Sequence, residues 1–509
     1  MTATTVLIAG AGPTGLTLGC TLARAGVPVR IIDKSPVFHR ASRGKGLNQR
    51  SREVLADLGM GEECTASGTP HLTFRKYRDG VPLADDTPTA GAAPTPDVPY
   101  ATGLWIPQWR TEEILRAKLA TYGVEVERGC ELTEFTQDGS GVTATLADGR
   151  RIHAAYLAGC DGARGMVRKA LGVSFEGETE PELALVGDVL VEGGPDGAGL
   201  DRGVWHQWID EDGAVLLCPL PGTSHWQFQS SPERDAEGNF LPPSLEVFQR
   251  QIDRHARIPG LRLADPAWLS TYRVSVRMAD RFRVGRVFLA GDAAHVHSIA
   301  GGLGMNTGIQ DGYNLGWKLA LVARGAAGAS LLDTYEEERL PVAAWTLKTS
   351  SERLRAVREG VTRAGVGTEA VISRETTTLG IGYRWSSLAW GGPMAGDRAP
   401  DAPCRDAGSG APVRLFEVFA GPAFTLLGFG PGSAAPLAQV ADACGAWVRT
   451  CLIDGGGEQG LRDTEGHARQ AYGIKGEGLV LIRPDNHVVW SAAVDRCADV
   501  VDALRSLGR

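Results

Sequence analysis

The chain has 509 residues, of which 43% are hydrophobic and 22% are charged. These proportions are ordinary for a globular protein and exclude a disordered or collagen-like chain. The 52 Lys and Arg residues against 60 Asp and Glu residues give a net charge of -8, which argues against non-specific binding of nucleic acid and against an anionic membrane surface. At roughly 150 residues per domain, the length predicts about three domains.

The nine cysteines are scattered and none forms a C-x-x-C pair. They are predicted to be reduced thiols in a reducing compartment, with no dithiol redox role and no zinc site. The N-terminus lacks a basic segment, and no run of about 20 apolar residues follows it, so neither a secretory signal nor a membrane span is expected. We therefore predict a cytoplasmic location and no membrane partner.

The first motif is a glycine-rich turn between a strand and a helix. The apolar run 6–9 predicts a buried strand, 16–24 a helix, and 27–32 a second strand that ends at Asp33. Between the first two lies Gly10-Ala11-Gly12-Pro13-Thr14-Gly15. This order of elements is the setting in which a G-x-G-x-x-G sequence binds a dinucleotide.

Each glycine of this turn has a separate physical reason. Gly10 allows the tight turn, Gly12 lets the backbone approach a pyrophosphate, and Gly15 lets the helix pack against the strand. The helix N-terminus attracts phosphate, and Asp33 is placed to accept a hydrogen bond from a ribose hydroxyl. The alternative is a glycine turn without a ligand.

A second motif follows the apolar run 287–290, which predicts another buried strand. Asp292 comes directly after it, where a carboxylate needs polar partners such as the ribityl chain of a flavin. The loop 301–306 then opens a helix that runs through Arg324, and its backbone N–H groups could face the pyrimidine edge of a flavin. The alternative is a helix entry capped by Asn306 with no ligand.

The rest of the chain gives coarser predictions. Residues 79–101 are rich in Pro, Ala, Asp and Thr and predict a loop, whereas 108–122 predict a helix. A largely antiparallel sheet is expected in the middle of the chain, from the runs 186–191, 204–209, 214–220 and 225–229. A helix over 331–360 should be interrupted near Pro341. Residues 391–411 resemble a linker to a last small α/β domain.

A basic stretch and an aromatic group each allow two interpretations. The basic stretch favours a phosphate-facing surface over an ordinary solvated one, and it contains Lys34, Arg40, Arg43, Lys45, Arg50 and Arg52. The aromatic residues of the middle sheet could line a substrate pocket or pack in the core, and they are Trp205, Trp208, Trp226 and Phe228. His295 and His297 lack a third ligand at a suitable spacing, so no metal is predicted.

Several motifs together resemble one family. They are Gly10–Gly15, the run Cys160-Asp161-Gly162-Ala163-Arg164-Gly165-Met166-Val167-Arg168, and Gly291-Asp292-Ala293-Ala294-His295 with its continuation 301–311. This set is similar to the FAD-dependent aromatic hydroxylases of the para-hydroxybenzoate hydroxylase type, the single-component flavoprotein monooxygenases. The tail resembles the thioredoxin-like domain of the longer members, which tailor aromatic polyketides or act on large phenols. The resemblance covers essentially the whole chain.

The resemblance implies an α/β fold with three parts. These are a Rossmann-like FAD-binding domain, a mainly antiparallel β-sheet substrate domain, and a C-terminal thioredoxin-like domain. The expected boundaries place the FAD-binding domain in 1–175 and 276–390, the substrate domain in 176–275 with a contribution from 70–100, and the thioredoxin-like domain in 395–509.

The resemblance also assigns residues. Gly12 and Gly15 would contact the pyrophosphate, Asp33 the adenosine ribose, Arg43 the phosphates, and Asp292 the ribityl region. Asp161 belongs, with Arg168, to a motif that bridges FAD and the nicotinamide nucleotide in the family. The full set of expected cofactor-binding residues is Gly10, Gly12, Pro13, Thr14, Gly15, Asp33, Lys34, Arg43, Gln108, Asp161, Asp292, Gly304, Met305 and Asn306. The expected substrate-binding residues are Trp205, Trp208 and Phe228.

The chain departs from the family pattern at a few positions. Ser298-Ile299 replaces the usual prolines, Leu303 stands where Gln is common, and Gly165 where Ser is common. The missing prolines remove a φ restriction beside the expected flavin face, and this bears on flavin movement and nicotinamide docking.

The implied function is a monooxygenase reaction. FAD would be reduced by NADPH or NADH and react with O2, and the resulting flavin C4a-hydroperoxide would transfer one oxygen atom to a polycyclic phenol. No catalytic residue is assigned. The alternatives are Baeyer–Villiger oxidation, epoxidation, or an FAD-binding protein without turnover; the W-x-W-x-I-P motif of flavin halogenases is absent. The expected partners are a small aromatic substrate and O2, with a homodimer left open and nucleic acid excluded.

Overall fold

The computed structural model describes residues 4–194, 199–298, 300–361 and 372–508. Three large β-sheets organise this part of the chain, together with one two-stranded ribbon. Ile299, one of the two residues that replace the family prolines, lies outside the described residues. Among the described residues, no helix is both long enough and apolar enough to cross a membrane.

The first sheet carries the predicted βαβ unit. Its strands are β1 (Thr4–Ala9), β2 (Val29–Asp33), β7 (Val126–Arg128), β8 (Leu132–Gln137), β9 (Val142–Leu146), β10 (Arg151–Gly159), β16 (Arg283–Val284) and β17 (Val287–Leu289). The adjacent strands β17, β10, β1 and β2 are parallel. The carboxyl ends of these four strands therefore meet at one edge of the sheet, where ligands bind in open α/β folds.

Helices cover this sheet and close its core. They are α1 (Pro13–Arg24), α2 (Gln49–Asp57), α3 (Gly61–Ser67), α4 (Gln108–Ala120), α5 (Met166–Ala170), α7 (Leu303–Ala323) and α8 (Asp333–Val361). Helix α1 starts with Pro13 at its first turn, and Gly26 beyond its end adopts φ +74°, as the sequence indicated. Apolar side chains of α1, α4 and α7 join those of β1, β2 and β10 in one core.

Helix α8 does not break at Pro341, contrary to the sequence prediction. A proline inside a helix leaves the carbonyl four residues earlier without its N–H donor. Here that carbonyl belongs to Glu337, and it accepts a hydrogen bond from the indole Nε1 of Trp385 at 3.0 Å. A side chain from outside the helix thus replaces the missing bond.

The second sheet is mainly antiparallel, as predicted. Its strands are β4 (Thr73–Arg78), β5 (Val81–Asp86), β11 (Phe175–Glu192), β12 (Val204–Asp210), β13 (Gly213–Pro219), β14 (Trp226–Ser230), β15 (Arg262–Ala279) and β18 (His295–Val296). Only the pair of β12 with β4 is parallel among these strands. Helix α6 (Leu245–Ala256) covers one face. Strand β5 forms inside the stretch 79–101 predicted to be a loop, as an exposed edge strand paired with β4.

The third sheet has the thioredoxin-like arrangement that the resemblance implied. Its strands are β19 (Pro403–Asp406), β20 (Pro412–Arg414), β21 (Phe424–Phe429), β22 (Val448–Ile453), β23 (Leu461–Arg462), β24 (Gly478–Ile482) and β25 (Val488–Ala492). Strand β21 is parallel to β22 and antiparallel to β24, which is antiparallel to β25. The helices here are α9 (Leu415–Phe419), α10 (Ala434–Cys444), α11 (His467–Ala471) and α12 (Cys497–Ser506).

A short ribbon links the first two sheets. Strand β3 (Gly46–Leu47) pairs with β6 (Leu104–Trp105). The segment before β3 contains Arg43 and Lys45 from the basic stretch. The basic stretch divides in the structure, because Arg50 and Arg52 are buried whereas Lys34, Arg40 and Arg43 are exposed.

Candidate functional site

The two glycine-rich turns lie side by side at the carboxyl edge of the first sheet. Gly291, after β17, has φ +61°, and a Cβ there would lie 2.4 Å from Thr14 Oγ1. A Cβ on Gly308 of α7 would lie 2.3 Å from the same oxygen. Thr14 therefore packs between two glycines, and larger residues at either position would push the turns apart.

The three glycines of the first turn serve two different purposes. A Cβ at Gly10 would lie 2.2 Å from Cys160 O, and one at Gly15 would lie 2.1 Å from Gly10 O. Both are needed for packing of backbone against backbone. At Gly12, by contrast, no atom of the described residues lies within 4 Å of the position that a Cβ would take. Gly12 is also the N-cap of α1 without a side-chain hydrogen bond, so the helix terminus faces open space suited to a phosphate.

Asp33 is fixed beside this turn by backbone donors. Its Oδ2 accepts from Ala11 N and its Oδ1 accepts from Ser35 N, each at 2.8 Å. A carboxylate has about four acceptor positions, so both oxygens can still accept from ribose hydroxyls. Lys34, the next residue, is exposed at the same end of β2.

Asp292 follows the Gly291 turn and lies near the second sheet. Its side chain is exposed, yet the surrounding protein raises the pKa of its carboxyl by desolvation, against the opposing charges of His295 and Arg43. Tyr272 of β15 stands close enough that burial and the charge of Asp292 together raise the pKa of its hydroxyl to about 12. We call the space between the Gly291 turn and the second sheet the cleft.

A buried ionic group holds the Gly291 turn in place. Asp311 Oδ2 accepts from Gly291 N at 3.0 Å and lies 2.7 Å from His295 Nε2, while Asp311 Oδ1 accepts from Arg339 Nε at 2.6 Å. Burial alone would raise the pKa of Asp311, but Arg339 and His295 outweigh it and lower the pKa. Neither Asp311 nor Arg339 was predicted to have a role, because their partners are distant in sequence.

The N-terminus of α7 forms the next part of the cleft. Gly301 and Gly302 have φ values of +88° and +62°. Asn306 is not the helix cap, since Gly302 holds that position. Its Nδ2 donates to Gly302 O at 2.7 Å and to Gly46 O at 3.1 Å, and its Oδ1 accepts from Asn48 N at 2.9 Å. Asn306 therefore fastens the β3 segment to the start of α7.

Gln108 positions the loop that carries Arg43. Its Oε1 accepts from Gly44 N at 3.0 Å, and its Nε2 donates to Glu112 at 2.9 Å. Met305 packs against the same loop, since a Cβ on Gly44 would lie 3.5 Å from Met305 Sδ. Gly304 lies beside His297, whose Cε1 would be 3.4 Å from a Cβ at that glycine.

Asp161 has a structural role in this conformation. Its Oδ2 accepts from Val167 N at 3.0 Å at the start of α5, and a Cβ on Gly165 would lie 2.1 Å from its Oδ1. Arg168 donates to Ala293 O at 2.8 Å. This motif therefore braces α5 against the Gly291 turn, and serine at position 165 would not fit beside the carboxylate as it is placed here.

The structure separates the three predicted substrate-binding residues. Trp205 packs 5.0 Å from Phe74, on the sheet face that also meets Lys45. Trp208 and Phe228 lie on the opposite face, fully buried in the core under α6. Because side chains of a strand alternate between faces, Trp208 cannot share the surface of Trp205. The alternative interpretation, core packing, describes Trp208 and Phe228 in this structure.

The arrangement fits FAD. An open helix N-terminus at Gly12 suits the pyrophosphate, the carboxylate of Asp33 suits the ribose, and Asp292 in the cleft suits a polyol chain. The start of α7 adds a second helix terminus at the far end of the cleft.

Comparisons with known proteins agree with this geometry. Residues 3–350 match the FAD binding domain family, and residues 392–508 match the aromatic-ring hydroxylase C-terminal family. A flavin-dependent monooxygenase from Mycobacteroides abscessus is 42% identical, over 95% of this chain and 96% of the relative. A 6-methylpretetramide 4-monooxygenase from Streptomyces rimosus is 35% identical, over 95% of this chain and 90% of the relative.

A solved structure shares the whole architecture. The ternary complex of aklavinone-11 hydroxylase with FAD and aklavinone superposes with a TM-score of 0.83, at 28% identity over 99% of both chains. The match over most of the chain shows the family. The chain belongs to the FAD-binding aromatic-ring hydroxylases and is a flavin-dependent monooxygenase.

Proposed function

We propose that this enzyme uses NADPH or NADH and O2 to hydroxylate a polycyclic phenol. The observation that carries the proposal is that the β3 segment contacts two unlike regions, which would form the two walls of the cleft: Gly46 O accepts from Asn306 Nδ2 at the start of α7, and Lys45 lies over Trp205 of the second sheet. One wall is built from the turns at Gly12 and Gly291 and from the start of α7. The other wall is the Trp205 face of the second sheet, where Phe74 and Trp105 lie 5.0 and 5.4 Å from Trp205.

The first wall would hold FAD. Gly12 and the N-terminus of α1 would receive the pyrophosphate, Asp33 the ribose, and Asp292 the ribityl hydroxyls. When bound, FAD supplies the redox chemistry that takes electrons from a nicotinamide nucleotide and activates O2. The pair Asp311–Arg339 keeps the Gly291 turn in register, because Asp311 accepts from Gly291 N at 3.0 Å and from Arg339 at 2.6 Å.

The second wall would bind the substrate. Trp205 is 6% exposed and packs with Phe74 and Trp105 in one aromatic cluster, and this cluster would give the wall the apolar character that suits a flat ring system. Apolar walls also exclude water, which protects a reactive oxygen species during transfer. The names of several relatives support an aromatic substrate, among them a pentachlorophenol 4-monooxygenase from Sphingobium chlorophenolicum that is 34% identical over 99% of this chain and 96% of the relative.

The experiment is a substrate screen on the FAD-loaded enzyme. NADPH and NADH consumption is measured with and without polycyclic phenols under isotope-labelled O2. We expect substrate-stimulated consumption and a product that gains one labelled oxygen on an intact ring. Gain of oxygen beside a ketone with later ring opening would show Baeyer–Villiger oxidation. Consumption that no phenol stimulates would contradict the proposal and favour an FAD-binding protein without turnover.

A further inference from the structure

Lys45 places a positive charge on the substrate wall of the cleft. It follows Arg43 by two residues, and its side chain crosses from the β3 segment to the second sheet. Its Nζ lies 4.1 Å above the ring of Trp205 and donates to Gln227 Oε1 at 2.6 Å. Gln227 in turn donates from its Nε2 to Ser42 O, so the lysine is held within a network that joins the two walls.

Among the residues that the structure describes, this ammonium group has no counter-ion. Within the described ranges, no carboxylate lies within 4.0 Å of Lys45 Nζ, and its one hydrogen-bond acceptor is the neutral amide of Gln227. An ammonium can donate three hydrogen bonds. Burial lowers the pKa of Lys45, and Cys218 and Asp188 oppose this shift only in their ionised forms. Lys45 is half-buried; a partly desolvated cation without an anion is costly, and a ligand anion would relieve that cost.

The groups around Lys45 do not supply such an anion by contact. Asp188 is buried, and its Oδ2 accepts from Ser42 N at 2.8 Å. Burial raises the pKa of Asp188, with the nearby His225 opposing it. Burial also raises the pKa of Cys218 to about 11, so this thiol is neutral near pH 7, with Lys45 and Arg202 acting in the opposite direction.

A second polar group beside Lys45 also lacks a partner among the described residues. The Nε1 of Trp205 is buried and has no hydrogen-bond partner among the described residues. The same tryptophan therefore has a cation above its ring and an N–H group without an acceptor. This donor set suits an aromatic ring that carries an oxygen anion, because charge-assisted hydrogen bonds to an anion are stronger than neutral ones.

We propose that Lys45 is a specificity-determining residue that binds the ionised oxygen of an acidic phenol or enol, so that the enzyme selects phenolates over their neutral ethers. The proposal rests on the proposed function, because it assigns the substrate to the Trp205 wall. It concerns binding alone, and it is tested on the oxidised, FAD-loaded enzyme without NADPH, where no turnover occurs.

The probe is 1,2-dihydroxyanthraquinone, a flat polycyclic phenol whose visible colour changes when its acidic hydroxyl ionises. The matched neutral probe is the same dye with that hydroxyl methylated. Dye spectra are recorded against enzyme concentration over a range of pH. For the wild-type enzyme we expect the bound dye to ionise at a pH about one unit lower than the free dye, which corresponds to about tenfold preference for the anion.

Three variants sharpen the test. Lys45→Met removes the charge and keeps the length, and it should abolish the shift while binding the methylated dye as well as the wild-type enzyme does. Lys45→Arg keeps the charge and should retain most of the shift. Lys475→Met removes an exposed lysine of the C-terminal unit and should leave all dye spectra unchanged. FAD absorbance is recorded for each variant to show that the cofactor is retained.

The outcomes are decisive even if one variant does not fold. A wild-type enzyme that binds the dye in its neutral form, or that prefers the methylated dye, would overturn the role of Lys45. So would a shift that persists in Lys45→Met. Failure of the proposed function has a different signature, namely that no phenol stimulates NADPH or NADH consumption, whatever the dye spectra show.

Discussion

Two regions of this molecule differ in how their charged side chains are paired. At the junction of α7, α8 and the C-terminal unit, Glu338 accepts from Lys318 at 2.7 Å and from Arg483 at 2.6 Å, and Arg483 also pairs with Asp485 at 2.5 Å. All four side chains are at most 2% exposed. In the cleft, by contrast, Lys45 and Asp292 have no ion-pair partner within 4.0 Å among the described residues.

The difference indicates that charged side chains have a structural function at the junction and a binding function in the cleft. At the junction, every buried charge has a partner of opposite sign, so the network fixes the C-terminal unit against the FAD-binding helices. In the cleft, Lys45 and Asp292 keep the capacity to pair with a ligand, as we propose. Variants of the two regions should therefore differ in kind: junction variants change stability, and cleft variants change binding.

The largest effect is expected for Glu338→Ala. The substitution leaves Lys318 and Arg483 without their shared carboxylate in the interior, and loss of one partner of a buried pair costs about 3–5 kcal/mol. The thermal midpoint of the protein should fall strongly. The control is Glu352→Ala on the same helix, where an exposed carboxylate lies 4.0 Å from Lys348, with an expected effect below about 0.5 kcal/mol. Equal midpoints for the two variants would contradict a stabilising junction.

The same residue gives a pH dependence with a defined sign. Burial would raise the pKa of Glu338, but Arg483 and Lys318 outweigh it and lower the pKa from 4.5 to about 2. A lowered pKa in the folded state adds stability that is complete above the ordinary pKa of 4.5 and is lost as the pH falls toward the folded value. The difference in thermal midpoint between the wild-type protein and Glu338→Gln should therefore shrink below about pH 4. A difference that stays constant there would exclude this carboxylate as the titrating group.

In the cleft, Asp292→Ala should mainly change cofactor binding. Loss of hydrogen bonds to a charged acceptor is worth about 1.5–3 kcal/mol, or roughly 10- to 100-fold in FAD affinity. The measurement is titration of the apoprotein with FAD, followed by flavin fluorescence. Asp502→Ala, at an exposed site of α12, is the matched control and should bind FAD normally. Full retention of FAD by Asp292→Ala would show that this carboxylate does not hold the cofactor.

Two alanine substitutions in the first turn distinguish a glycine that leaves room for a ligand from a glycine that is needed for backbone packing. At Gly12 a methyl group meets open space, so Gly12→Ala should cost the apoprotein only the N-cap preference for glycine over alanine, below about 1 kcal/mol, and should weaken FAD binding about fivefold, roughly 1 kcal/mol. At Gly15 the methyl group meets backbone at 2.1 Å, so Gly15→Ala should destabilise the apoprotein by about 1–3 kcal/mol. Thermal denaturation without FAD and FAD titration distinguish the two. Normal FAD affinity in Gly12→Ala would argue against a phosphate at this position.

The smallest effect is expected for Arg43→Met. Arg43 is exposed, and its charge acts on Asp292 and Glu112 without a direct ion pair in the described structure. Screening by solvent limits such an interaction to about 0.2–1 kcal/mol. FAD affinity should fall only a few-fold, and the loss should shrink at high salt. A loss as large as that of Asp292→Ala would mean that Arg43 contacts the cofactor phosphates directly, as the family resemblance implies.

The sequence was most informative where chemistry follows strand ends. The strands that end before Gly10, at Asp33 and before Gly291 could be located from short apolar runs and glycine turns, because these signals are local, whereas their order in the sheet could not be predicted. The fold class and the mainly antiparallel middle sheet are confirmed for the same reason. Strand β15 was not predicted, since its 18 residues are mostly half-buried or exposed and give no clean alternation.

The parts of the site that were missed depend on contacts between distant segments. Asp311 and Arg339 are 28 residues apart, and Lys45 and Gln227 are 182 residues apart. A charge in a sequence does not show whether its partner is a carboxylate, an amide or a ligand. The roles of Trp208 and Phe228 could not be predicted for a related reason. A shift of one residue along a strand moves a ring from the cleft face of the sheet to the core face.

The most direct test of the account is a crystal structure of the FAD-loaded enzyme. We predict continuous density for one FAD molecule from Asp33, past Gly12 and Asp292, to the start of α7 at Gly302, with the flavin ring facing the Trp205 wall. Density for FAD at another place, or a cleft between Gly12 and Gly291 that holds no flavin in a yellow crystal, would contradict the assignment of this cleft as the cofactor site.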